Sequence, residues 1–164
     1  MNKKIVNQQN NTFTKLGSGL FLLWSILHIY VGITGIINFF TKNLADQWKL
    51  LIGGNKVPFL NFIVPQDATT VYGQSHLILN FCIDVGGYGV LGLFVSWMIW
   101  KKSSWTGYFI GVVAIGICDL TFLFAMVTSG VIEKNLATLA GPVIWFMAVA
   151  ITPFGLRQSK KNLY

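Results

Sequence analysis

Acidic side chains are scarce in this chain: five Asp and Glu in 164 residues, against twelve Lys and Arg. Only two cysteines, Cys82 and Cys118, are present, both inside apolar runs and without CxxC spacing. That excludes a disulfide framework and a zinc site of the usual kind, and leaves two thiols acting as small hydrophobes. Histidine is equally sparse, with His28 and His76 alone, and no HxxxH or HxxE spacing supports a transition-metal site. Phosphate-binding glycine loops, a nucleophile elbow and low-complexity stretches are also missing, so no motif names a cofactor or a reaction.

What the chain has in excess is apolar surface. Some 54% of its residues are apolar, 15% aromatic and only 10% charged. Those values belong to the membrane class. Charge-free stretches, interrupted only by Asp84 and Asp119, give four segments near or above the roughly 20 residues needed to span a bilayer. The chain therefore predicts an all-α integral membrane four-helix bundle in a single domain, 1–164, with helices at about 16–40, 72–100, 105–129 and 136–156. The basic N-terminal stretch Met1–Lys15 precedes an apolar run too long for a signal peptide, and helix 1 is read as retained.

A net charge of +7 invites a nucleic-acid reading, but its placement fits a membrane better. Lys3, Lys4, Lys15, Lys101, Lys102, Arg157, Lys160 and Lys161 fall on one side of this topology, and Lys42, Lys49, Lys56 and Lys134 on the other. The eight-to-four split predicts both termini in the cytoplasm of a plasma (inner) membrane, with the lipid bilayer as partner and no nucleic acid. Trp97, Trp100, Trp105 and Tyr108 around the Lys101–Lys102 turn form an interfacial aromatic belt, and the short turn makes helices 2 and 3 antiparallel neighbours. Thr41–Tyr72 is the long outer connection. Its Leu44, Trp48 and Leu51 recur at helical spacing, and VPFLNFIVP is held irregular by Pro58 and Pro65, so the loop lies on the bilayer or caps the bundle mouth. Pro142 and Pro153 fall near the ends of the last helix, and the GxxxG of Gly107 and Gly111 serves helix packing, with dimerisation as the alternative.

Ionisable groups inside hydrocarbon are the strongest functional signal. A charge at a membrane helix centre costs about 2.5–3.5 kcal/mol on insertion scales, so such residues face an interior and mark function. Asp84, Asp119 and His28 lie at comparable depth and are the candidate acid–base groups or ligand anchors. His76, Asn80 and Asp84 recur every four residues on one helix face, with His76 about 12 Å nearer the outer surface than Asp84. Convergence of His28, Asp84 and Asp119 on one pocket open towards His76 is expected, with Asn80, Tyr30 and Thr121 as further ligand-binding candidates. Mutual hydrogen bonding between helices is the plainer alternative.

Two classes of function follow. The first is binding of a small, largely apolar molecule (a lipid, isoprenoid or quinone) in an intramembrane polar pocket. The second is a membrane-embedded isomerase or quinone-linked oxidoreductase using Asp/His acid–base chemistry, or a proton-coupled transporter working as a homo-oligomer. Through WSILHIYVGITG and GGYGVLGLFVSW the layout resembles the DoxX-like small four-helix bacterial membrane proteins. That resemblance implies a first helix, a long outer connection, a glycine-rich helix 2–3 hairpin and a final helix, and it assigns no residue a role.

Overall fold

The computed structural model describes residues 12–161. Lys3 and Lys4, on which part of the orientation argument rests, lie outside the described residues, as do the side chains of Lys160 and Lys161. Four long apolar helices make the fold: α1 (Thr12–Thr41), α3 (Ala68–Lys102), α4 (Trp105–Thr128) and α5 (Leu136–Lys161), with a single-turn helix α2 (Leu44–Trp48) in the long connection. Each long helix has the length and apolarity to cross a membrane. The chain is thus a multi-pass membrane protein of all-α four-helix architecture.

Helix α1 is the spine, lying along both α3 and α5. Glycine lets it approach so closely. A Cβ on Gly32 would stand 2.7 Å from the Gly86 Cα, and one on Gly89 would stand 2.8 Å from the Ile29 amide nitrogen. Where lipid is as apolar as the core, such backbone proximity is a main source of helix association. Small hydroxyls add to it: Ser18 and Ser96 bond each other's side chains and carbonyls at 2.8–3.0 Å. At the same end Gly17 meets Thr152, Gly155 meets Thr14 and Phe13 meets Phe154, so the two described ends of the chain are neighbours. We call that end inner and the opposite end outer.

The α3–α4 turn follows the expected hairpin. Ser103 closes α3 with φ 45°, in the left-handed region, and the Ser104 hydroxyl accepts from the Gly107 amide at 3.1 Å to start α4. Gly107 and Gly111 then pack inwards, against Met98 and against Phe21 with Val95, so the GxxxG serves packing within the chain.

Two departures from the sequence reading matter. Helix α3 begins at Ala68, four residues before the expected Tyr72, because the Asp67 carboxylate caps the Thr70 amide at 2.8 Å. Pro153 is also well inside α5, which continues to Lys161. Its missing N–H leaves the Val149 carbonyl without a helical partner, and the Tyr108 hydroxyl donates to that carbonyl at 3.1 Å.

The long connection caps the bundle mouth, one of the two placements expected of it. Leu44, Leu51 and Ile52 are buried over the bundle mouth, and the Trp48 indole donates to Gln74 of α3 at 3.0 Å. Gly54 and Lys56 pair with the α4–α5 loop through the Val131 and Gly130 carbonyls at 2.9 and 3.0 Å. Leu60 and Ile63, by contrast, are almost wholly exposed and form an apolar edge of this connection.

Candidate functional site

Trp24 and His28 are one helical turn apart on α1, so their rings share a face. They stack with centroids 3.6 Å apart and planes at 21°. His28 Nδ1 lies 2.8 Å from the Trp24 carbonyl oxygen, which only accepts, so Nδ1 carries the proton and Nε2 points away from α1. An indole N–H in hydrocarbon also needs an acceptor, and Trp24 Nε1 donates to Asp119 Oδ2 at 2.6 Å. The second carboxylate oxygen, Oδ1, stands 3.6 Å from His28 Nε2. That is beyond hydrogen-bond length but within ion-pair range.

Trp24 and Asp119 are essentially inaccessible, while the His28 side chain is 15% exposed. One edge of the cluster therefore reaches the protein surface through the imidazole. The opposite wall is α5, where Gly141 lies against the Nε2–Oδ1 gap. A Cβ there would stand 2.9 Å from His28 Cε1 and 3.3 Å from Asp119 Oδ1. Three helices thus meet at one polar point inside the bundle: α1 brings the imidazole and the indole, α4 the carboxylate, and α5 an absent side chain.

Helix α4 is not a plain α-helix around this acid. Gly111–Ile115 and Leu123–Thr128 adopt wide π-helical turns on either side of the α-helical Gly116–Phe122 that carries Asp119. Wide turns of this kind recur at functional sites. The first coincides with the seat of Trp145, whose indole donates to the Gly111 carbonyl at 3.0 Å and whose ring lies against Gly116.

The expected convergence of three ionisable residues is corrected here. His28 and Asp119 meet, but Asp84 does not join them. It is exposed at the centre of α3 and accepts from Asn80 Nδ2 at 3.0 Å. The residue at position 84 points past α1, whose contact face on α3 runs through Cys82, Gly86 and Gly89. Tyr30 and Thr121 are exposed and contribute nothing to the cluster. His76 is held elsewhere, donating to the Tyr72 carbonyl at 2.9 Å with its ring against Tyr72 and Phe39.

Sequence reasoning missed Trp24 and Gly141. The four-residue spacing of Trp24 and His28 was a usable signal, since an indole one turn from an intramembrane histidine must find an acceptor nearby. Gly141 carried no signal, because its role depends on which helix faces it. No protein-family model, curated protein or solved structure matches the chain.

Proposed function

We propose that this membrane protein binds a small, largely apolar molecule by its polar head, seated against His28 Nε2 and Asp119 Oδ1. The observation that supports this reading is the 3.6 Å separation of those two atoms beside the bare Cα of Gly141. A single ligand hydroxyl can lie about 2.8 Å from both atoms at once, donating its proton to one of them. Trp24 holds the carboxylate from the far side and the Trp24 carbonyl fixes the imidazole, so both groups are oriented before a ligand arrives. The exposed edge of His28 offers access from the bilayer, where a lipid, isoprenoid or quinone is concentrated. In the cell we place the protein in the plasma membrane with both termini cytoplasmic, following the split of basic residues.

The test is mass spectrometry of protein purified in mild detergent, comparing the natural chain with Gly141→Ala. The added methyl would stand 2.9 Å from His28 Cε1 and 3.3 Å from Asp119 Oδ1, crowding the seat while both the acid and the base are kept. A lipid-like ligand should co-purify with the natural chain and be lost from the variant. Ligand-free protein from several mild detergents, or equal ligand in both, overturns the reading.

A second reading rests on the same geometry. With Nδ1 protonated towards a carbonyl and Nε2 facing a carboxyl oxygen, the pair can pass a proton to or from a bound group, as an isomerase, an oxidoreductase or a proton relay requires. Asp119→Asn separates the two readings, since it keeps the indole hydrogen bond and the ligand seat while removing titration.

A further inference from the structure

Asp84 and Asn80 pose a different problem from Asp119. Their mutual hydrogen bond is the one side-chain hydrogen bond either makes among the described residues, and both face outwards at the middle of the longest apolar helix. One amide N–H and the carbonyl of Asn80, and Oδ1 of Asp84, are left without a partner at a depth where water supplies none.

The glycines around them behave unlike the rest. Gly89 and Gly92 are needed within the chain, since a Cβ on either would come within 2.8 Å of α1 atoms. A Cβ on Gly73 or Gly87 would meet nothing at all. Gly73, Leu77, Asn80, Asp84, Gly87 and Phe94 are all exposed, and their spacings of four, three, four, three and seven residues are those of a heptad seam. The seam is thus smooth where a second backbone would cross and polar at its centre.

We infer that this seam on α3 is the interface of a parallel homodimer, with the two-fold axis along the membrane normal. The chemistry is self-complementary under that symmetry. In each copy one Asn80 N–H serves the Asp84 of its own chain, and the second N–H donates to the free Oδ1 of Asp84 in the other copy, giving two equivalent bonds between chains. A polar residue at a seam position also fixes register, which apolar contacts alone do not. A second copy satisfies the spare Asn80 N–H and Asp84 Oδ1 at once, leaving only the Asn80 carbonyl, whereas an acyl chain satisfies none of them.

The experiment uses the full chain in phosphatidylethanolamine/phosphatidylglycerol vesicles, singly labelled, with subunits counted by photobleaching over a series of lipid dilutions. In parallel, cysteine is placed at Gly87 or, as control, at Gly19, an open glycine on α1, both in a Cys82→Ser, Cys118→Ser background. Two-step bleaching is expected, with oxidative cross-linking to a dimer at position 87 and not at 19. The pair Asn80→Leu, Asp84→Leu should weaken dimerisation at least tenfold, while intrinsic tryptophan fluorescence reports that the fold is retained. Single-step bleaching at every dilution, equal cross-linking at both positions, or unchanged dimerisation of the double variant each overturns the inference.

Discussion

Trp24 donates its indole N–H to Asp119 at 2.6 Å, joining α1 to α4 across 95 positions of the chain. Both side chains are buried, and the same tryptophan stacks on and orients His28. A single residue therefore sets the geometry of both the acid and the base.

Removing that donor should be costly. Trp24→Phe keeps an aromatic ring, smaller than the indole, and leaves the buried Asp119 Oδ2 without its hydrogen bond, a penalty of about 1–3 kcal/mol for the lost bond. We expect a lower thermal midpoint in detergent. Asp119→Leu should relieve much of the loss in the double variant, because no polar group is then left unpaired. Strictly additive effects across the four proteins of this cycle would show that the bond carries no coupling.

Close backbone approach between α1 and α3 makes a second prediction. Gly32→Ala places a Cβ 2.7 Å from the Gly86 Cα, backbone that cannot turn aside, so the helices must separate. Overpacking of this kind costs roughly 1–3 kcal/mol. Gly19→Ala on the same helix meets nothing and should leave stability within about 0.5 kcal/mol or raise it slightly. Equal effects of the two substitutions in thermal unfolding would refute the packing account.

Orientation is checked by labelling. With both native cysteines replaced, a cysteine at Lys56 should react with an impermeant maleimide in intact cells, and one at Lys102 only after permeabilisation. Reaction at position 102 alone would reverse the topology.

The Asp67 cap gives a pH dependence at the start of α3. The Thr70 amide beside it holds the Asp67 carboxyl below its ordinary value of 3.8. A depressed carboxylate stabilises the cap fully above that ordinary value and loses the effect as pH falls through the lower folded value. Amide exchange over residues 68–71 should therefore be constant from pH 7 to 5 and accelerate, beyond its intrinsic trend, only below about pH 4. Asp67→Ala should exchange faster throughout and lack the acid step.

Number, order and depth of the helices were legible because hydrocarbon demands long uninterrupted apolar segments. The mid-helix placement of His28, Asp84 and Asp119 followed from counting residues along them. Caps and wide turns were less so. Asp67 lengthens α3 through one side-chain bond, and the first π turn of α4 falls where Trp145 of another helix seats itself. What the sequence alone did not carry is azimuth. In water an amphipathic stripe shows which way a helix faces, but in lipid both faces of a helix are apolar and the stripe disappears. The sequence therefore determined that two aspartates lie mid-helix within long apolar segments. Tertiary packing decided that Asp119 turns inwards to Trp24 and His28 while Asp84 turns outwards with Asn80, because the close glycine contacts of α3 with α1 fix its rotation and Trp24 draws the α4 acid into the bundle.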